Sequence, residues 1–347
     1  MDIIGIICEY NPFHNGHLYH LEKIKEMFPN SLIVLVMSSS FTQRGNASII
    51  NKWDKTRIAL NYKIDLVIEL PYVFTVQSAT YFAKASVAIL NHLKIDYLVF
   101  GSECGSIDIL KTKDNEKLLP NDMLGKCYLN EILNNNYNMT PVTIKRTNDY
   151  HNKLLNDTIT SATSIRNGLK EHKDISKYTP IDIKYINTNF LDDNYFNYLK
   201  YKIISEQNDL KKYLDVDEGL ENRILKYIYK VTTIDELIMK IKTKRYTYSK
   251  LSRMLNHILC GFTKEKRDKF YKITYIRVLG FSKLGQGYLK KIKKEVTIPI
   301  ITNYSKIHDS MLDYEMTITK IYASVLNNPQ QQELIENEYK NNPLNIL

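Results

Sequence analysis

The sequence predicts a doubly wound α/β sheet followed by a mainly helical second domain. Three observations carry this. Short apolar runs alternate with amphipathic stretches through the first half, the runs are closed by polar or turn residues, and beyond about residue 175 the strand pattern gives way to long amphipathic segments. Residues 2–8 (DIIGIIC), 31–37 (SLIVLVM), 65–70 (DLVIEL) and 96–100 (DYLVF) each have the length and β-branched content of a buried parallel strand, and 142–146 is a weaker fifth. Helices fit between them at 17–27, 52–62, 76–93 and 124–133, with another opening near Thr163. Amphipathic stretches at 195–205, 219–229, 234–241 and 249–259 follow, so we expect domains at 1–175 and 190–347. In sheets of this kind ligands bind beyond the carboxyl ends of the strands, where motifs should therefore lie.

A chain of 347 residues exceeds what one hydrophobic core usually organises, and its 44% hydrophobic and 25% charged content is that of an ordinary globular protein. No apolar run reaches the ~18 residues of a membrane span, and the first residues lack a basic n-region and a cleavage site, so a cytoplasmic location is expected. Cys8, Cys104, Cys127 and Cys260 form no CxxC pair, which argues against a zinc knuckle, a redox dithiol or a disulfide scaffold. The net charge of +10 is concentrated: residues 223–294 hold 20 Lys and Arg against 4 Asp and Glu, with tyrosines interleaved. Such a segment attracts a polyanion through counterion release and offers rings for stacking on unpaired bases, although charge alone also suits a solvated face.

Chemistry concentrates after the first strand, in Glu9-Tyr10-Asn11-Pro12-Phe13-His14-Asn15-Gly16-His17. A helix N-terminus presents free N–H groups and a positive dipole end to an anion, and Gly16 allows a phosphate close to the backbone. His14 and His17 flank that glycine, where imidazoles donate hydrogen bonds to phosphate oxygens as charge builds during in-line displacement.

This stretch is similar to the HxGH signature of the HIGH-type nucleotidyltransferases, and Ser161-Ala162-Thr163-Ser164-Ile165-Arg166 is similar to their second signature, an SSTxIR-type turn. With SSSFTQRGNASIINKWDKTRIAL, DLVIELPYVFTVQSATYFA, FGSECG and LPNDMLGKCYL, the combination resembles the bacterial tRNA(Met) cytidine acetate ligase family over nearly all of residues 1–170, and more loosely beyond. The resemblance implies a Rossmann-like fold and a ligase that uses ATP, with Mg²⁺ accompanying the nucleotide, and acetate to convert the wobble cytidine of elongator tRNA(Met) to N(4)-acetylcytidine. It implies His14, His17 and Arg166 as catalytic. It further implies nucleotide contacts along Ile7, Cys8, Glu9, Tyr10, Asn11, Pro12, Phe13, His14, Asn15, Gly16, His17, Leu18, Tyr19 and His20, and at Gly101, Asn121, Arg146 and Thr147. Members usually carry two asparagines where this chain has Asn121-Asp122, which leaves either residue as the contact, and Thr147 replaces an apolar residue.

Arg44 in Gln43-Arg44-Gly45 is a further candidate for facing a carboxylate or phosphate, and His151 a weaker one near Arg146. Lys52, Trp53, Asp54 and Arg57 open a helix, where Trp53 reads as core and Asp54 as a first-turn dipole partner. His92, His172, His257 and His308 have no partners in sequence and read as structural. Two rival readings remain open. A small-molecule nucleotidyltransferase acting on a phosphorylated metabolite needs no basic C-terminal half, and a pure RNA-binding protein needs no phosphate site. The sequence fixes neither the oligomeric state nor the base that would activate the cytosine amine.

Overall fold

A computed structural model describes residues 1–112, 114, 118–146 and 160–346. Five parallel strands form the centre: β1 (Ile3–Cys8), β2 (Leu32–Ser38), β3 (Leu66–Leu70), β4 (Tyr97–Ser102) and β5 (Thr140–Lys145), in the spatial order β5-β4-β1-β2-β3. Every residue of β2 and β3 is buried, as expected of strands covered on both faces. Ile3 of β1 sits opposite Leu32 and Cys8 opposite Met37, so β1 and β2 end level with each other.

The crossovers carry α1 (Asn15–Met27), α2 (Lys52–Asn61), α3 (Tyr72–Thr75), α4 (Ala79–His92), α5 (Ile107–Thr112), α6 (Pro120–Asn134) and α7 (Ala162–Lys170). Two boundaries differ from expectation by more than two residues. Residues 72–75 form their own turn, so the long helix begins at Ala79 behind Ser78, and α6 starts at Pro120, whose missing N–H costs nothing in a first turn.

The C-terminal region is mainly helical: α8 (Phe196–Ser205), α9 (Leu220–Tyr227), α10 (Ile234–Ile241), α11 (Tyr248–Cys260), α12 (Lys264–Lys269), α13 (Lys283–Ile292), α14 (Ser310–Ala323) and α15 (Asn328–Lys340). It also returns to the sheet. β6 (Ile276–Ser282) pairs antiparallel with β3, and the short β7 (Ile300–Ile301) and β8 (Leu344–Ile346) pair parallel with β6. One hydrophobic cluster runs from Ile68 on β3 through Val278 on β6 to Leu312 and Ile318 on α14.

Four buried charges fasten this junction. Lys52 Nζ lies 2.7 Å from Glu69 and 2.9 Å from Glu338, while Arg277 lies 3.1 Å from Glu69 and 2.7 Å from Glu338. Two cations and two carboxylates balance, so α2, β3, β6 and α15 share one neutral ionic knot whose separate members would each be costly to bury. The nearby Glu315 carboxyl, also buried, is pushed up to about 8 by burial and by the charge on Glu69. It accepts the Tyr72 N–H.

Candidate active site

A cleft of about 600 Å³ opens beyond the carboxyl ends of β1, β4 and β5. The first turns of α1, α4, α6, α7 and α11 all contribute to its wall, through Gly16 and His17, Ala79, Pro120 and Asn121, Ala162, and Ser249. Five positive dipole ends around one space favour an anion there.

The start of α1 is built by its own histidines. His14 is the N-cap, its Nδ1 accepting the Gly16 N–H at 3.0 Å, and the Nδ1 of His17 accepts the His14 N–H at 3.2 Å. This is a capping box made of two imidazoles, with ring centroids 3.9 Å apart. Because each Nδ1 accepts, each ring keeps its proton on Nε2. Burial, followed by the charges of Arg146 and Arg166, pushes His14 down to about 3. His17 is held well below its ordinary range by burial and by His14. Both rings are therefore neutral donors at physiological pH. One turn on, burial and Arg146 push His20 down to about 4, and its buried Nε2 has no hydrogen-bond partner among the described residues.

The two sequence signatures meet in space. Ser161 caps α7 by accepting the Ser164 N–H, and from that helix Arg166 Nη1 donates to the Asn11 carbonyl at 2.6 Å. Asn11 is itself buried, donating to the Ala47 carbonyl and accepting the Ile49 N–H, so the first signature is fixed to the loop after β2. In that loop Gly45 adopts φ +86, and a Cβ there would sit 2.9 Å from the Arg253 backbone. Only glycine allows this loop to lie so close to α11. Gln43 and Arg44 consequently line the cleft beside Glu9, whose carboxylate accepts the Gln43 N–H at 2.5 Å.

On the opposite side of β1, Gly101 lies beside Ser102 at the end of β4, and Arg146 directly follows β5. A Cβ on Gly101 would meet the Arg146 side chain at 3.4 Å, so the glycine leaves room for the arginine. Asn121 lines the cleft and donates to Glu103, whereas Asp122 is buried and accepts the Cys104 N–H. Of the two, Asn121 and not Asp122 lines the cleft.

Ile7, Cys8, Glu9, Tyr10, Asn11, His14, Gly16, His17, Tyr19, His20, Gly101, Asn121, Arg146 and Arg166 come together in this cleft. Four residues of the first stretch do not line it. Pro12 follows a cis peptide bond and is buried, Phe13 is in the core stacked on Tyr62, Asn15 binds the Lys177 and Tyr178 carbonyls, and Leu18 packs against the core. Thr147 and His151 fall outside the described residues. Burial pushes the Cys8 thiol up to about 12, and all four cysteines are free. His257 is fully buried between the carbonyls of Val76 and Leu214, a structural position.

Lys55 is the main residue that sequence reasoning passes over. It is fully buried, and its ammonium donates to the carbonyls of Glu9, Ser38 and Ser39 at 3.2, 2.6 and 2.8 Å, tying together the ends of β1 and β2. Thr247, the cap of α11, lies both in the cleft wall and in a shallow groove lined by Met239, Lys242, Lys244, Tyr246 and Tyr248. The basic segment therefore adjoins the cleft. Arg245 in that segment is paired with Glu218, and Arg253 is largely buried.

A central parallel sheet of this order, with a His-x-Gly-His turn opening its first helix and a Ser-Ile-Arg turn opening a late one, is the design of the HIGH nucleotidyltransferases. The profile of the HIGH Nucleotidyl Transferase family matches residues 1–117 and 107–337. More narrowly, the chain is 36% identical to the tRNA(Met) cytidine acetate ligase of Anoxybacillus flavithermus, covering 99% of this chain and 100% of that one. It is 34% identical to that of Bacillus subtilis, covering 99% and 97%. The chain belongs to the tRNA(Met) cytidine acetate ligase family. Thermotoga maritima TmcAL, solved bound with alpha-thio ATP, superposes with a TM-score of 0.87 at 26% identity, covering 100% of both chains.

Proposed function

We propose that this protein is an ATP-dependent acetate ligase: it forms acetyl-adenylate and transfers the acetyl group to the wobble cytidine of elongator tRNA(Met), giving N(4)-acetylcytidine. The single observation that carries this is the cleft itself, in which both signatures of this chain, a full-length match to a tRNA(Met) cytidine acetate ligase, converge on two neutral imidazole donors and a ring of helix N-termini. Acetate is ionised at neutral pH, so its oxygen attacks the α-phosphorus of ATP with no general base. His14 and His17 donate through Nε2 to the phosphate oxygens as charge grows, and because they are neutral they do so without surrendering the proton. Arg146 and Arg166 add positive charge from β5 and α7, and the Gly101, Asn121 and Arg146 side of the cleft receives the nucleoside. Mg²⁺ accompanying the nucleotide would supply charge neutralisation at the phosphates, and Glu9, the one carboxylate among the described lining residues, is the protein group that would face it.

Residues 1–175 supply ATP binding and catalysis, and residues 190–347 the tRNA surface. The groove along Lys242, Lys244, Tyr246 and Tyr248 leads to the cleft through Thr247, which suits an anticodon strand whose target base enters while its neighbours stack outside. No helix among the described residues is long and apolar enough to cross a membrane, and we place the reaction in the cytoplasm. Incubating the pure protein with labelled acetate, ATP and total tRNA tests the reading. Label should enter tRNA only when ATP is present; pyrophosphate release driven by a phosphorylated metabolite, with no label in tRNA, would favour the small-molecule reading.

A further inference from the structure

The second half-reaction needs a proton acceptor. The amine of cytosine is a poor nucleophile because its lone pair is delocalised into the ring, and one of its two hydrogens must leave as the new bond forms. The histidines at the start of α1 do not serve, since each Nδ1 already accepts a backbone N–H and each Nε2 carries the proton. Cys8 remains a thiol, and Lys55, although burial pushes it down to about 7, does not line the cleft and has its amine hydrogens directed at three carbonyls.

Glu9 differs from these groups. It is the one carboxylate among the described residues that line the cleft, and it lies on the β2 side, its Oε1 bonded to the Gln43 N–H. That is the side bounded by Arg44 and by Thr247 and Ser249 of the α11 region, next to the basic groove. The residues implied for the nucleoside lie across β1, on the β4 and β5 side. A base entering from the tRNA surface therefore meets the Glu9 side of the cleft first.

We propose that the Glu9 carboxylate accepts the proton released when the cytidine amine attacks the activated acyl carbon; this rests on the ligase reading above. The amine nitrogen forms a bond to the acyl carbon, the bond from that carbon to the phosphate oxygen of acetyl-adenylate breaks, AMP leaves with the bonding pair, and the amine proton passes to Glu9 and then to water. Burial raises the Glu9 carboxyl above its ordinary range, countered by the Gln43 N–H and by Lys55, Arg44 and Arg166, which makes it a stronger base than an exposed carboxylate.

The two half-reactions separate the possibilities. Acetate-dependent ATP–pyrophosphate exchange reads the first, and single-turnover transfer from preformed enzyme-bound acetyl-adenylate to tRNA reads the second. Glu9→Gln keeps an oxygen to accept the Gln43 N–H, and it should slow transfer by about 10²–10⁴ beyond any change in exchange, with Glu9→Asp recovering part of the loss. Wild-type transfer should rise with pH to a plateau, and this limb should vanish in Glu9→Gln. Equal losses in both half-reactions, or a limb that persists in Glu9→Gln, overturn the proposal. So does a limb lost in His20→Gln instead, which would move the base to His20. If Glu9→Gln does not fold, the wild-type profile decides: transfer that is flat from about pH 4 to 8 excludes a carboxylate that titrates above its ordinary value. A wild-type protein with neither exchange nor transfer would refute the ligase reading itself, a distinct result.

Discussion

Replacing His14 perturbs two things at once, and the structure separates them. The imidazole caps α1 through Nδ1 and keeps a donor proton on Nε2. His14→Ala loses both. The cap is worth about 1 kcal/mol, which for a chain of this size lowers Tm by about 2–4 °C or less. The donor is worth far more to the reaction, about 10²–10³ in rate by analogy with single oxyanion donors. His14→Asn restores an oxygen that can accept the Gly16 N–H, and so returns most of the stability, but it does not return a donor at the imidazole Nε2 position. Acetate-dependent ATP–pyrophosphate exchange should therefore fall about 10²–10³ in both variants, while Tm falls mainly in His14→Ala. Exchange near the wild-type rate in His14→Asn would falsify the assignment, and exchange that tracks Tm across the two variants would reduce His14 to a helix cap.

Three other outcomes are expected. Arg166→Ala should raise the ATP requirement about 10–100-fold, the scale of a charge-assisted hydrogen bond, and unaltered ATP kinetics would make Arg166 only a tie to the Asn11 carbonyl. Glu315 has its folded pKa raised to about 8, so its neutral form contributes stability that is complete below the unfolded value near 4.5 and is lost as pH rises through about 8. Glu315→Gln mimics the neutral form and should gain stability relative to wild type as pH rises from about 5 to 8, with denaturant midpoints that stay parallel across that range counting against it. Neutralising Lys242, Lys244 and Lys250 together should weaken tRNA binding and lower the log–log salt slope by roughly one unit per lost phosphate contact, with adenylate formation as the control. A folded variant with unchanged affinity and slope would mean that tRNA docks elsewhere.

The first four parallel strands were legible because burial on both faces makes such strands largely apolar runs, with Glu69 the single interruption in β3, whereas β5 lies at the sheet edge, is partly exposed and read only weakly. β6 was not. Its IRVLG run lies in the most basic part of the chain, and Arg277 near its start reads as a surface charge until Glu69 and Glu338, 208 and 61 residues away, are seen to neutralise it. Lys55 escaped for the same reason, because the carbonyls that hold its ammonium belong to the ends of two other elements. The two signatures could be read from local spacing, since each builds its own helix cap. Their meeting through Arg166 and Asn11, and the choice of Asn121 over Asp122, depend on which side chains the tertiary fold turns inward. Charge counting located the basic half correctly, yet it could not show that Arg245 is already paired or that Arg253 is largely buried against the Gly45 loop.

The central claim, that a carboxylate oxygen of acetate attacks the α-phosphorus of ATP and the acyl carbon is then captured by tRNA, is tested most directly by the fate of that oxygen. Acetate labelled with heavy oxygen, ATP and elongator tRNA(Met) are turned over by the pure protein, and the products are weighed by mass spectrometry. The expected products are AMP that has gained one heavy oxygen, unlabelled pyrophosphate, and one acetyl group on the wobble cytidine. Heavy oxygen in inorganic phosphate with ADP as the nucleotide product, or unlabelled AMP beside acetylated tRNA, would contradict it.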